Sequence, residues 1–328
     1  MPEVLVEIRN LIINFYTYRG VVKAINGVNL KIRKGEFFGL VGETGCGKSV
    51  TGSAILNLVQ NPGRIEKGEI LFKGKDILSM SEDEIREGIR GKEITMIMQH
   101  PIAALNPVIK NGDQIAEALS RKMGEGEAKR RAIELLKEVN IPEPEKVAKQ
   151  YPHQLSGGMA QRVMIAMMLS TEPSLLIADE PTTALDVSIQ AQVLRLLEDL
   201  IKKQKASVML ITHDLSIVAE TCDRVGVMYA GDMVEVGEVD QIINNPNHPY
   251  TVGLMSAIPS DYRKELAGIR GTVPDLVNPP SGCRFHPRCD YARDICKQKK
   301  PKTMQVENGH TVACVLYEGR RSGRDNKA

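Results

Sequence analysis

A glycine-rich segment near the start of the chain has the residue types and spacing that bind phosphate groups. It runs from Gly42 to Ser49 and matches the pattern G-x-x-x-x-G-K-S/T. Backbone N–H groups of such a loop curl around phosphates, and the following helix adds its positive end. Lys48 would neutralise the β- and γ-phosphates, and Ser49 would hold Mg²⁺. The predicted nucleotide-binding residues here are Gly42, Thr44, Gly45, Cys46, Gly47, Lys48, Ser49 and Val50.

Two adjacent carboxylates form a second candidate site for phosphate chemistry. Leu175–Ala178 is an apolar run with the length of a buried strand, and Asp179 and Glu180 follow it directly. Paired acids at the end of a buried strand are unfavourable unless a cation or a water needs them. Asp179 suits Mg²⁺ coordination through water. Glu180 suits polarisation of the water that attacks a phosphoryl group.

Strand and helix patterns alternate around these motifs. An apolar strand, Glu36–Val41, precedes the glycine-rich loop, and a helical pattern, Ser49–Leu58, follows it. Strands alternating with helices predict a mostly parallel α/β sheet. The other predicted strands are Val4–Ile8, Gly27–Arg33, Glu69–Phe72, Ile94–Gln99, Leu175–Ala178, Val208–Thr212 and Val225–Tyr229, and the other helices of this part are Ile189–Gln204 and Ser216–Thr221.

The segment from about residue 100 to 165 differs, because helical spacing at Asp113–Leu119 and Glu127–Val139 replaces the strand patterns. We expect an inserted helical subdomain there. The predicted organisation is an ATP-binding core from residues 1–98 and 166–258, a helical subdomain from residues 99–165, and a C-terminal cysteine-rich extension from residues 259–328.

Four cysteines of the C-terminal extension are spaced C-x₅-C-x₆-C-x₁₇-C in a proline-rich segment that favours a small metal-held module. Zinc sites usually contain short C-x₂₋₄-C pairs, and none occurs here. Longer loops suit the larger body of a 4Fe–4S cluster. The sequence favours such a cluster, with zinc (Zn²⁺) and free or disulfide-bonded cysteines as alternatives. The predicted ligands are Cys283, Cys289, Cys296 and Cys314.

Composition weighs against two classes of protein. The chain has 328 residues, a formal net charge of +2, no Trp and 4% aromatic residues, which is atypical of a nucleic-acid-binding protein. No apolar segment approaches the roughly 20 residues of a spanning helix. The first ten residues lack a signal-peptide pattern, so we expect the chain to stay in the cytosol.

Together with these sites, four further motifs resemble the ABC ATPase family in order and spacing. Leu155–Arg162 resembles its signature motif, although Met159 replaces the commonest Gln. Gln99 resembles the Q-loop glutamine, Thr183–Asp186 the D-loop, and His213 the switch histidine. The resemblance covers roughly residues 4–240. It implies an α/β P-loop NTPase fold of the RecA-like type with an inserted α-helical subdomain.

The same resemblance implies how the residues act. Two cassettes would sandwich two ATP molecules head to tail, with Asp186 and the signature residues Ser156, Gly157 and Gly158 at the nucleotide. It implies that Glu180, His213 and Gln99 are catalytic, and that Ser49 and Gln99 ligate Mg²⁺. An aromatic residue near the first strands would stack on adenine. Phe15, Tyr16 and Tyr18 all lie near that place, and Tyr18 is our choice, with Phe15 as the rival.

Asn247–Thr251, Asn106-Pro107 and the cysteine-bearing extension resemble the dipeptide/oligopeptide branch of ABC importers. This branch implies ATP-driven uptake of peptides, or of nickel or another small solute, at the cytoplasmic face of the membrane. The implied partners are two permease subunits, a second ATPase that is often a paralogue, and indirectly an extracellular solute-binding protein, but no nucleic acid. We expect His248-Pro249-Tyr250 to be a helix-starting turn. A non-transport ABC ATPase and a redox-sensing regulator are the alternative functions.

Overall fold

The computed structural model describes residues 3–120, 122–182, 187–256 and 268–318. It divides into two compact units, which we call the first and second units. The first unit comprises Met1–Ser79 and Leu210–Ala328, and the second comprises Met80–Met209.

The elements of both units follow one another in chain order. The strands are β1 (Val4–Thr17), β2 (Gly20–Arg33), β3 (Phe37–Val41), β4 (Gly63–Phe72), β5 (Lys75–Asp76), β6 (Ile94–Ile97), β7 (Leu175–Asp179), β8 (Ser207–Thr212), β9 (Arg224–Tyr229), β10 (Asp232–Glu238), β11 (Thr303–Glu307) and β12 (His310–Ala313). The α-helices are α1 (Lys48–Ile55), α2 (Glu82–Gly88), α3 (Pro101–Ala104), α4 (Asn111–Leu119), α5 (Glu125–Glu138), α6 (Pro144–Val147), α7 (Gly157–Leu169), α8 (Val187–Gln204), α9 (Leu215–Thr221), α10 (Val239–Asn244), α11 (Pro249–Ser256) and α12 (Asp294–Gln298). No helix of the described residues has both the length and the apolar character that crossing a membrane requires.

An antiparallel sheet with the order β2-β1-β4-β5 begins the first unit. Its longest pair is the hairpin of β1 and β2, whose register runs from Val4↔Arg33 to Thr17↔Gly20. The sequence predicted only Val4–Ile8 and Gly27–Arg33 of this hairpin. The predicted strands are too short because the register shifts between Ile8 and Leu11, where a bulge interrupts the alternation of inward and outward side chains.

A second group of strands in the first unit has the order β3-β9-β10-β12-β11. β3 lies parallel to β9, and every residue of these two strands is buried. Burial on both faces explains their apolar runs, which made both strands predictable. The hairpin of β11 and β12 was not predicted, because its short strands alternate with polar residues inside a proline-rich segment.

The second unit contains the parallel pair β6 and β7, with the register Ile94↔Leu175 to Ile97↔Ala178. Between these two strands the described residues form only helices and turns. α4 and α5 confirm the two helical patterns predicted at Asp113–Leu119 and Glu127–Val139. In α7, Val163, Met164 and Ile165 are fully buried, so this helix forms the apolar centre of the segment.

A buried carboxylate holds the segment that precedes α11. Glu235, 1% exposed, accepts the N–H groups of Asn247 and His248 at 2.7 and 2.9 Å and lies 2.7 Å from Nε2 of His310. Nδ1 of His248 in turn accepts the N–H of Tyr250 at 3.1 Å. The expected helix-starting turn is therefore confirmed, because α11 begins at the residue after His248.

We predict that His248 makes the folding stability depend on pH. Burial lowers the pKa of His248 to about 4, an effect that the charge of Glu235 opposes, whereas an unfolded histidine titrates near pH 6.5. Between about pH 4 and pH 6.5, His248 is therefore protonated in the unfolded chain but neutral in the folded chain. The stabilisation is fully present above about pH 6.5, and about 3 kcal/mol is lost as the pH falls through about 4.

Urea unfolding from about pH 7 to about pH 4 checks this expectation. His248→Asn keeps an acceptor for the Tyr250 N–H but cannot titrate, so its free energy of unfolding should fall less over that range. His153→Asn, on an exposed histidine of the second unit, is the matched control. Equal slopes for wild type and His248→Asn would contradict the prediction.

Candidate functional site

The glycine-rich loop of the first unit joins the end of β3 to the start of α1. Gly45 and Gly47 have φ angles of +81° and +104°, a region that favours glycine. A Cβ atom on Gly42 would lie 2.1 Å from the carbonyl oxygen of Met228 in β9. The loop can therefore follow this path only because its glycines lack side chains.

Lys48 spans the glycine-rich loop from within. Its side chain is largely buried, and Nζ donates to the carbonyl oxygens of Gly42 at 2.7 Å and Glu43 at 3.3 Å. Gly47 caps α1 without any side-chain hydrogen bond, so the start of this helix presents backbone N–H groups. Of the other predicted loop residues, Thr44, Gly45 and Ser49 are exposed, Val50 is half-buried and Cys46 is buried.

Two predicted catalytic residues meet in the second unit. Gln99 and Glu180 follow the parallel strands β6 and β7, so both lie at the same edge of this pair. Nε2 of Gln99 donates to Oε2 of Glu180 at 2.9 Å. The sequence predicted Gln99 as the last residue of this strand. β6 in fact ends at Ile97, so Gln99 lies just beyond it.

Glu180 has an unusual backbone conformation. Its φ angle is +46°, whereas Asp179 before it still belongs to β7 and is 8% exposed. A residue other than glycine in this region costs on the order of 1 kcal/mol, and such strain is typical of functional sites. β7 therefore ends at Asp179, and the next residue turns so that its carboxylate contacts Gln99.

The predicted signature residues form the start of α7 in the second unit. Ser156 is the N-cap, and its Oγ accepts the backbone N–H of Met159 at 3.3 Å. Gly157 and Gly158 follow in the first turn, where helix N–H groups are available to an anion. Because the contribution of Met159 is a backbone N–H, its departure from the commonest signature leaves this arrangement intact.

The remaining predictions concern His213, the candidate adenine-stacking aromatics and the D-loop. His213 directly follows β8 and is exposed. Tyr18 lies in the turn between β1 and β2 with 92% of its surface exposed, and the Arg19 guanidinium lies 5.4 Å from its ring centroid. Tyr16 instead donates its hydroxyl to Glu66 at 2.8 Å, and Phe15 is half-buried. Asp186 and the rest of the predicted D-loop, from Thr183, lie outside the described residues.

No disulfide bond joins any two of the six cysteines in the described part of the chain. Those of the C-terminal region line one small pocket together with residues such as His248 and Phe285. Burial raises the pKa of Cys283 to about 12. Among the described residues, no group of histidines, cysteines and acids is arranged to hold a metal ion. The pocket cysteines are Cys283, Cys289, Cys296 and Cys314.

One contact of the loop was missed by sequence reasoning. Arg288, which lies between two of the pocket cysteines, forms an ion pair with Glu43 of the glycine-rich loop at 2.6 Å. These residues are 245 positions apart, and no local pattern links them. Their location in the phosphate motif and in the cysteine region was the only available signal.

Comparisons with known proteins agree with this geometry. Residues 25–183 match the ABC transporter family, and residues 234–296 match the oligopeptide/dipeptide transporter C-terminal region. The chain is 52% identical over 318 residues to the oligopeptide transport ATP-binding protein OppD of Bacillus subtilis, with 95% of this chain and 88% of that protein covered. The chain belongs to the ABC family of oligopeptide and dipeptide transport ATP-binding proteins.

Further relatives of this ABC ATPase support the same assignment. It is 43% identical over 314 residues to the dipeptide transport ATP-binding protein DppD of Escherichia coli, covering 94% of this chain and 96% of that protein. A dimeric post-hydrolysis structure of the ATP-binding cassette MJ0796, bound to ADP and Pi, matches with a TM-score of 0.63 and 28% identity, covering 72% and 99% of the two chains. The predicted ABC-type P-loop NTPase fold and ATP hydrolase activity are confirmed.

We predict that Gly42→Ala destabilises this ABC ATPase more than Gly45→Ala. A Cβ on Gly42 would collide with the Met228 carbonyl group, whereas a Cβ on Gly45 meets nothing within 4 Å. Gly45→Ala should cost only the φ penalty of about 1–2 kcal/mol, and Gly42→Ala should exceed it by at least about 1 kcal/mol. Urea unfolding without nucleotide measures both values, and equal losses would refute the close approach to β9.

Proposed function

We propose that this chain is the nucleotide-binding subunit of an importer that hydrolyses ATP to drive uptake of di- or oligopeptides through partner permease subunits. The observation that carries the proposal is the match of residues 234–296 to the oligopeptide/dipeptide transporter C-terminal region, next to an ABC cassette. The peptide transport names of its relatives favour peptides over nickel as the solute.

The glycine-rich loop would hold the phosphates of ATP. The amides of Gly45 and Gly47, and those at the start of α1, would donate to phosphate oxygens. The Lys48 ammonium group would exchange its carbonyl contacts within the loop for the β- and γ-phosphates. Tyr18 would stack on adenine, which agrees with its exposed ring beside a guanidinium.

Hydrolysis would depend on Glu180, whose carboxylate would orient the attacking water. The hydrogen bond from Gln99 fixes this carboxylate, and orientation is most of what phosphoryl transfer requires from a protein. His213 would contact the γ-phosphate as the switch histidine. The hydroxyl of Ser49 and the amide oxygen of Gln99 would hold Mg²⁺, which prefers oxygen ligands, and Asp179 would act through water. Bound Mg²⁺ would neutralise charge on the phosphate oxygens.

A second, homologous ABC ATPase would complete the nucleotide site, and we propose that it is a paralogue. Ser156, Gly157 and Gly158 would donate to the γ-phosphate on the partner's loop, and Asp186 would lie at the same junction. The exposure of Ser156 and Gly157 at the start of α7 supports this role. The MJ0796 cassette, at 28% identity to this chain, is dimeric in its post-hydrolysis structure, which is consistent with such pairing.

We further propose that residues 99–165 form the helical subdomain and carry the docking surface for two membrane-spanning permease subunits. Helices α3 to α6 fall in this range and support its helical character. The ATP-binding core would comprise residues 1–98 and 166–258. The chain would then lie peripherally at the cytoplasmic face of the membrane, and an extracellular solute-binding protein would act on it only through the permease.

The C-terminal extension, residues 259–328, would bind a 4Fe–4S cluster through the four pocket cysteines. Their convergence on one pocket supports this proposal. A single zinc ion would need four sulfur atoms about 2.3 Å from one point, and no group of the described residues is arranged to hold one ion. A cubane cluster separates its ligands further. Its role would be to hold the proline-rich region together.

We predict that Glu180→Gln binds ATP with little change in KM but hydrolyses it at least about 100-fold more slowly. Glutamine can still accept the hydrogen bond from Gln99, so the change removes the charge rather than the geometry. Phosphate release and uptake of a labelled tripeptide are measured in proteoliposomes that contain the chain with its permease, partner ATPase and binding protein. Both should be lost together.

Glu172→Gln is the matched control, because Glu172 is also a glutamate with positive φ but lies exposed before β7. It should leave turnover unchanged. Normal turnover in Glu180→Gln would refute the role of Glu180. ATP-driven uptake of nickel rather than tripeptide would refute the proposed solute.

We predict that protein purified without oxygen contains about four iron and four sulfide per chain and absorbs blue light. Cys289→Ser should reduce the iron content by at least about half and lower the unfolding temperature of the chain. Cys222→Ser, on a half-buried cysteine outside the pocket, should leave the iron content intact. Stoichiometric zinc without sulfide would exclude the cluster.

A further inference from the structure

A partly buried ion pair joins the cysteine region to the glycine-rich loop within the first unit. Nη1 and Nη2 of Arg288 donate to the two carboxylate oxygens of Glu43 at 2.6 and 3.0 Å. The Arg288 side chain is 6% exposed and that of Glu43 is 28% exposed. The two-point geometry of a guanidinium and a carboxylate is a strong, directional contact.

Other groups of the first unit fix the orientation of Arg288. Its Nε donates to the carbonyl oxygen of Arg270 at 2.7 Å, and Nη1 also lies 3.3 Å from the hydroxyl oxygen of Tyr229. The guanidinium carbon lies 5.6 Å from the centroid of the Tyr229 ring. The carboxylate of Glu43 raises the pKa of Arg288, so the side chain stays charged.

The backbone of Glu43 is held as well. Its N–H donates to the hydroxyl oxygen of Tyr250 at 2.9 Å. Tyr250 is fully buried, with its ring centroid 4.7 Å from that of Tyr229 and 5.4 Å from that of Phe285. The backbone N–H and the carboxylate of this loop residue are therefore both anchored by the C-terminal part of the first unit.

An acidic residue in a loop that binds a polyanion creates an electrostatic problem. The phosphate motif requires no particular residue at this position, yet here it carries a carboxylate directly after Gly42. Unpaired, that charge would repel the phosphates, and partial burial would strengthen the repulsion. Arg288 cancels the charge and also holds the carboxylate in one orientation.

We propose that Arg288 is a positioning residue for ATP binding, through which the cysteine region sets the affinity of the glycine-rich loop for nucleotide. It acts by neutralising and orienting Glu43, not by touching the phosphates. The proposal rests on the proposed role of the loop as the phosphate cradle. It gives the C-terminal extension a part in nucleotide affinity in addition to the transport assignment.

The test measures KM for ATP and kcat in the reconstituted transporter. Arg288→Ala should raise KM about tenfold and leave kcat within about twofold, because the lost interaction concerns binding rather than the chemical step. Raising the salt concentration should lower the KM of this variant more than that of wild type. The reason is that salt screens the repulsion between the unpaired Glu43 carboxylate and the phosphates of ATP. Arg288→Lys, which keeps the charge but not the two-point contact, should fall in between.

The double variant Glu43→Gln/Arg288→Ala separates charge from structure. It lacks the same ion pair but leaves no unpaired carboxylate, so its KM should return to within about threefold of wild type. Lys297→Ala is the matched control, because it removes a charge from an exposed ion pair with Asp294 in the same region. Its KM should equal that of wild type.

Glu43→Gln alone gives an independent test if Arg288→Ala does not fold. It leaves the positive charge of Arg288 beside the loop, so KM should fall below the wild-type value. A higher KM for Glu43→Gln, or a double variant as weak as Arg288→Ala, would overturn the proposal. Lys48→Ala tests the loop itself: unchanged ATP binding in that variant would refute the phosphate cradle, whereas its loss together with a normal Arg288→Ala would refute only the role of Arg288.

Discussion

The constraint on which this molecule depends is the backbone path of the glycine-rich loop, whose N–H groups we propose to bind the phosphates of ATP. Those groups are available only where the chain turns sharply between β3 and α1, with Gly42 so close to Met228 that no side chain fits. β3 and β9 lie beneath the loop as a parallel, fully buried pair. The buried strands thus fix a loop path that requires glycine at these positions.

Carboxylates are the second constraint, because each buried or partly buried one needs a partner. Glu235 is held by two backbone N–H groups beside His310, Glu43 is held by Arg288, and Glu36 is held by Arg224 at 2.8 Å. Glu180, which we propose to polarise the attacking water, accepts a hydrogen bond from the neutral amide of Gln99.

Local sequence was sufficient for much of the fold and of the candidate site. The apolar runs of β3, β7 and β9 were recognisable because both faces of these strands are buried. The hairpin of β1 and β2 was only partly predicted, because bulges break its alternation. The β11–β12 hairpin was not predicted, because β12 pairs with β10, which is distant in sequence and so leaves no local pattern.

The sequence by itself determined the candidate sites: the glycine-rich loop, the paired acids, the signature segment and the four cysteines are each defined by residue types at fixed spacing. Tertiary structure alone decided which of these groups meet. It brought Gln99 to Glu180 across 81 positions and Arg288 to Glu43 across 245. The physical reason is that a motif encodes local backbone geometry and reactive atoms, whereas a contact between distant residues depends on how whole strands pair and pack.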